Sequence, residues 1–210
     1  MRQALLMQTG LEFDNSTHTQ SLYETTGSSI AYVLQRPLQY PPGVVTHYND
    51  GAPHLVSAAL AVQTGLSLEA YAQQRLWAPL GIQKGHWEAA QDGTTFGAFS
   101  LYLTSRDLGK LGQLLLQGGI WEGQRLIDSA YLAEATQLQT AANFHGEPYG
   151  YYFWILPAIR GYCASGHGGQ FLLVVPERQL VAVYTAAPYT DRSLWDEREE
   201  LFTLLVKSCL

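Results

Sequence analysis

Charge is scarce in this chain. Asp, Glu, Lys and Arg make up only 14% of its 210 residues, against about 25% in a typical globular protein. Basic residues are the scarcer kind: 12 Lys and Arg stand against 18 Asp and Glu, for a formal charge of −6. A nucleic-acid binder carries a basic footprint, so nucleic acid is not expected as a partner. The three lysines, Lys84, Lys110 and Lys207, form no polybasic run for anionic lipid. The two cysteines, Cys163 and Cys209, are too few for a disulfide scaffold and leave the redox compartment open. No apolar run approaches the ~20 residues a membrane helix needs. Met1 to Asp14 shows no apolar core followed by a small-residue cleavage site. If Met1 is the true start, the chain reads as soluble. Apolar residues are ample at 47%, which argues against disorder. A chain of this length can bury roughly 70% of its unfolded surface.

Turn signals alternate with helical patterns through the first half. The polar stretch 14–31 reads as a loop with one helical turn. Pro37, Pro41, Pro42 and Gly43 punctuate the next stretch. A helix is expected to start near Pro53, with Leu55, Ala58, Ala59 and Val62 as its apolar stripe and Gly65 as its stop. Ser67 should cap a second helix running to Leu76, with Glu69 in its first turn. Thr104-Ser105-Arg106-Asp107 has the form of a capping box, ahead of a stripe of Leu108, Leu111, Leu114 and Leu115. Asp128 or Ser129 opens a further helix to about Leu138.

β signals come late. Tyr149 to Leu156 is short and aromatic. Phe171 to Val175 and Leu180 to Tyr184 are continuous apolar runs, joined by a hairpin turn at Pro176 to Gln179. Ser193 to Lys207 is an amphipathic helix with Leu194, Leu201, Leu204 and Leu205. Helices, then an antiparallel meander, then one helix indicate an α+β fold.

Several common motifs are absent. The one Gly-Lys pair, Gly109-Lys110, is followed by Leu111, so there is no phosphate-binding P-loop. Phe171 stands where a dinucleotide fingerprint needs its third glycine. The six histidines form no His-x-x-x-His pair, and no metal is implied.

Two local constellations remain. In the first, Pro42-Gly43 leads to Tyr48-Asn49-Asp50 just ahead of the Pro53 helix. A tyrosine acts as a base only when a nearby cation lowers its pKa of ~10. By spacing alone, a packed and hydrogen-bonded tyrosine is the better account. In the second, Ser165-Gly166-His167-Gly168-Gly169-Gln170 precedes an apolar strand. Glycines admit close approach of a ligand, and strand-end amides can hold a carbonyl oxygen. A glycine-rich turn entering a strand accounts for it equally well. Trp87 and Asp92, between helices, could line a pocket or cover the core. Tyr149 could do either as well.

Taken in order, these segments resemble the class C β-lactamase and penicillin-binding-protein superfamily of serine hydrolases. The resemblance is closest to its esterase and 6-aminohexanoate-dimer-hydrolase-like branch. Ala4 to Asp14 is similar to that family's Leu-Leu-x-Met-Thr-Ser-Gly-Leu-x-Trp-Asp segment. Tyr48-Asn49-Asp50 is similar to its Tyr-x-Asn motif. Leu76 to Ile82 resembles its Leu-Trp-x-Pro-Leu-Gly-Ile segment, and Leu103 to Gly112 its Thr-x-Arg-Asp-Leu helix. His167-Gly168-Gly169 occupies the place of its Lys-Thr-Gly or His-x-Gly triplet.

The resemblance implies a β-lactamase/transpeptidase-like fold. Residues 1–147 would be a mainly helical region and 148–210 a meander with a C-terminal helix, together one incomplete domain. It implies Tyr48, Asp50 and His167 as catalytic residues. Gly168, Gly169, Gln170, Trp87 and Tyr149 would bind the substrate, a small ester, amide or β-lactam. No cofactor is implied. Family members are often exported, which leaves localisation open here, as is the oligomeric state.

One element of the family pattern is missing. Its nucleophile is the serine of Ser-x-x-Lys, upstream of the segment matching Ala4 to Asp14. Three residues before Lys84, Lys110 and Lys207 stand Gly81, Asp107 and Leu204. The expectation is therefore a C-terminal portion of a longer enzyme, inactive alone. A non-catalytic remnant and a ligand-binding module are the alternatives. The family's first strands would also lie upstream, beside Leu180 to Tyr184, leaving that strand as an edge. Without the motif lysine, Tyr48 is expected to keep a pKa near its ordinary value.

Overall fold

Short polar caps, more than apolar stripes, start the helices of the first hundred residues. The computed structural model describes residues 1–140, 147–186 and 192–210. They fall into two compact units: Met1–Leu103 with Thr140–Glu147, and Thr104–Gln139 with Pro148–Leu210.

The first unit opens with α1 (Arg2–Leu5), α2 (Asn15–Glu24) and α3 (Ser29–Leu34). The stretch 14–31, expected as a loop, is thus largely helical. Asp14 caps α2 by accepting from the Ser16 amide, and Ser28 caps α3 by accepting from the Ala31 amide. Each bond satisfies a donor that a helix start otherwise leaves bare.

Helix α4 (Gly51–Thr64) follows and ends on Gly65 in the left-handed conformation. Its buried face is Gly51, Ala52, Pro53, His54 and Ser57. The expected stripe is wrong at Val62, which is 89% exposed. Helix α5 (Leu68–Ala72), capped by Ser67, runs straight into a π-helical turn, Gln73–Trp77. A two-stranded ribbon pairs β1 (His86–Trp87) with β2 (Leu101–Tyr102). Phe13, Leu22, Val33, Ala90 and Phe96 form the unit's main apolar cluster.

The second unit begins at α6 (Ser105–Leu116). Thr104 accepts from the Asp107 amide, the forward half of a capping box, and its hydroxyl donates to the Asp107 carboxylate. The ribbon β3 (Ile120–Trp121) and β4 (Gln124–Arg125) comes next. Then comes α7 (Ser129–Ala135), capped by Asp128 and one turn shorter than expected. An antiparallel sheet follows in the order β5 (Trp154–Leu156), β6 (Gly161–Ser165), β7 (Phe171–Val175), β8 (Leu180–Tyr184). Strand β6 was not expected, and β5 is shorter than the aromatic run that suggested it. The closing helix is α8 (Arg192–Ser208).

Strand β7 explains the layers. Side chains alternate across a strand. Phe171, Leu173 and Val175 pack with Cys163, Cys209, Phe202, Leu205 and Val206, the α8 side. Leu172 and Val174 pack with Tyr162, Leu108, Leu115 and Leu116, the α6 side. Both faces are covered, so β7 must be apolar at every position. On α8 the buried face differs from the expected one: Leu201 and Leu204 are exposed, and the Leu194 side chain lies outside the described residues. Strand β8 is the last in the sheet order among the described residues. The architecture is α+β, as expected.

Candidate active site

The Tyr48 turn is built by its neighbours. The Asn49 side chain is buried and works in both directions: its Nδ2 donates to the His47 carbonyl at 2.7 Å, and its Oδ1 accepts from the Ala52 amide at 2.9 Å. That second bond caps α4, where the adjoining Asp50 makes no cap of its own. Asp50 instead ties α4 to α2. Its amide donates to Asn15 Oδ1 at 2.9 Å, and its Oδ2 accepts from the Thr19 hydroxyl at 2.6 Å. The Tyr48 side chain is half-buried between these ties. Burial, and then the Asp50 charge, push its pKa up to about 12. The expectation of an ordinary pKa is therefore corrected: within this chain Tyr48 is a phenol well past neutral pH.

The His167 motif is the tip of the β6–β7 hairpin. Gly166 and Gln170 continue the ladder beyond the Ser165–Phe171 pair, the Gly166 amide donating to the Gln170 carbonyl at 2.8 Å. The Gly169 amide then donates to the Gly166 carbonyl at 3.1 Å, closing a turn around His167 and Gly168. Gly169 sits at φ +80°, where a side chain would be strained. Its amide is thus committed to the turn. The Gln170 side-chain amide donates to the Ala186 carbonyl at 3.0 Å. His167 is exposed at the tip, and Gly168 and Gly169 are buried.

Two other sequence candidates are structural in their contacts. Trp87 lies on β1. Its indole donates to the Phe99 carbonyl at 3.0 Å and its amide to Glu69 at 2.9 Å. Tyr149 is 2% exposed and meets Trp154 edge-on at 4.8 Å. The structure therefore brings Tyr48 and Asp50 together on one turn, and His167 to Gln170 on one hairpin. Trp87 is half-buried and Tyr149 buried, each bonded or packed within its own unit.

Two features were missed in the sequence. One is Asn49 as the cap. The other is a polar cluster that joins the buried Ser29 and His54 to the exposed Asp92. Its members are 25 and 63 positions apart, so no local pattern joins them. Among the described residues no group of His, Cys, Asp and Glu could hold a metal. Among them, too, no single helix is long and apolar enough to cross a membrane.

A family model described as Beta-lactamase matches residues 1–200. No curated protein matches the chain. Solved structures do. A Bacillus anthracis protein assigned as a 6-aminohexanoate-dimer hydrolase superposes with a TM-score of 0.81 at 21% identity, over 99% of this chain and 61% of its own. A Mycobacterium bovis β-lactamase gives 0.64 at 17%, over 89% and 65%. A penicillin-binding-protein homologue from Caulobacter crescentus gives 0.67 at 15%, over 89% and 64%. The chain spans about three fifths to two thirds of the length of these structures, and the likeness at such identities is one of fold.

Proposed function

The chain belongs to the Beta-lactamase family, a fold family of serine hydrolases, and from that premise we propose that the intact protein hydrolyses an ester or amide through an acyl-enzyme. The observation that carries this reading is the family match over residues 1–200. The resemblance of the Tyr48 and His167 segments to the family's motifs, in the family's order, supports the same reading.

A Ser-x-x-Lys segment outside these 210 residues would supply the nucleophile. Its lysine cation would bring the Tyr48 pKa down from about 12. Tyr48 would then take the serine proton and return it to the leaving group. Asp50 would hold the turn. The backbone at the Gly169–Gln170 end of the strand would help hold the oxyanion, and His167 would orient or charge-balance the substrate. β-Lactams, D-alanyl peptides, short esters and aminohexanoate oligomers are the candidate substrates.

The first test is the coding DNA upstream of Met1. An in-frame Ser-x-x-Lys supports the enzyme, and a stop codon directly before Met1 supports the remnant. The second test uses purified residues 1–210. They are expected to give no burst with an activated ester and no covalent labelling by a serine-directed phosphonate. Stoichiometric labelling of any residue among them would sink the reading. In the intact protein, Tyr48→Phe should lower kcat by about 10²–10⁴-fold.

A further inference from the structure

A relay of three side chains runs from the surface of the first unit into its core. Asp92, exposed in the turn after Ala90, accepts from the Ser29 amide at 2.6 Å and from the Ser29 hydroxyl at 2.8 Å. Desolvation raises the Asp92 carboxyl, but bonds from the Thr94 and Ser29 amides and the Ser29 hydroxyl outweigh it and hold the pKa below the usual range. Asp92 is therefore a carboxylate at neutral pH, able only to accept. The Ser29 proton is committed to it.

Ser29 Oγ must then receive from His54 Nε2, 2.8 Å away. This fixes the ring proton on Nε2 and a lone pair on Nδ1. Ser29 and His54 are both wholly buried. Nδ1 has no hydrogen-bond partner, and the ring lies 5.7 Å from that of Phe96.

The segment carrying Asp92 is clamped to α4 at two more points. Ser57 Oγ donates to the Thr95 carbonyl at 2.6 Å. Gly97 lies so close to the helix that a Cβ there would stand 2.0 Å from the Pro53 carbonyl oxygen. Asp50 ties the same helix start to α2.

We infer that Asp92 and Ser29 are positioning residues: they fix the proton on His54 Nε2 and thereby hold the first turn of α4, and the Tyr48–Asp50 turn ahead of it, in register. That this turn is catalytic rests on the proposed hydrolase function, whereas the relay stands without it.

Nitrogen-15 NMR of the imidazoles in the 210-residue chain tests the relay with no hydrolytic readout. In the unaltered chain His54 is expected neutral, with its proton on Nε2, from about pH 6 to 8. In Asp92→Ala the Ser29 hydroxyl is free to donate to Nε2, so the His54 proton moves to Nδ1 in a large share of molecules. The Tyr48 ring signals shift with it. Asp92→Asn keeps an accepting oxygen and should restore both. An unaltered chain with the proton on Nδ1 overturns the proposal. So does an Asp92→Ala variant whose tautomer and Tyr48 signals stay put. Asp92 is exposed, so this variant is expected to fold. Ser29→Ala reads the relay from its middle, and a single fixed Nε2 tautomer there overturns the proposal equally. An intact protein that hydrolyses nothing, with these shifts observed, removes the functional reading and leaves the relay.

Discussion

At Tyr48 the neutral phenol is the favoured state of the folded chain. Its pKa of about 12 lies above the unfolded value near 10, through burial and then the Asp50 charge. Tyr162 is raised to about 12 as well, by burial. A raised acid contributes stability that is complete below pH ~10 and is lost as pH climbs towards 12. Spectrophotometric titration should therefore show these two phenols ionising late, together with alkaline unfolding, and Tyr48→Phe should lessen the alkaline loss. Ionisation of every tyrosine near pH ~10 in the folded chain would contradict this. His54 has the opposite sign. Burial lowers it to about 4, with the Asp92 charge opposing. The unfolded chain binds this proton near pH 6.5 and the folded chain does not. Stability is complete above that value and declines as pH falls towards 4. Urea midpoints that stay level across this window would rule out a buried neutral His54.

Among the elements, α6 offers the cleanest tests. Thr104→Ala removes the hydroxyl that accepts from the Asp107 amide and should cost ~1 kcal/mol in denaturant unfolding. Gly112 faces β7 and β8. A Cβ there would stand 2.5 Å from Val181 Cγ1 and 2.7 Å from Leu172 Cδ1. Gly112→Ala should therefore overpack this contact by about 1–3 kcal/mol, although alanine is the better helix former. A more stable Gly112→Ala variant would show that the sheet side chains give way.

The same helix shows why some elements are legible in a sequence. Its cap and its leucine stripe are both local signals. Strand β7 was legible because two covered faces demand an unbroken apolar run. Helix α2 was not, because it buries only Leu22 and so carries no periodic stripe. Strand β6, Gly-Tyr-Cys-Ala-Ser, contains no β-branched residue. It is a strand because β5 and β7 flank it, which is tertiary information. The candidate site divides in the same way. The Tyr48 and His167 motifs are contiguous and visible. The pKa of Tyr48 and the commitment of the Gly169 amide depend on surroundings that spacing does not encode.

For the whole molecule, the family was legible because several weak segments occur in one order, and the match extends over residues 1–200. The interleaving of units was not. The chain passes from one unit to the other after Leu103, returns for Thr140–Glu147, and leaves again at Pro148. No shift in composition marks the first passage. It is set by α6 packing on β7 and β8.

The placement of sulfur has a practical consequence. Both cysteines are unbridged and buried, and both belong to the cluster between the sheet and α8. The first unit contains none. A thiol-reactive dye is therefore a reporter for one unit alone. In native buffer its reaction should be slow, and in rising denaturant its rate should track the opening of the sheet. Run beside tryptophan fluorescence, to which both units contribute, such labelling would tell whether the two units melt as one cooperative block or in turn.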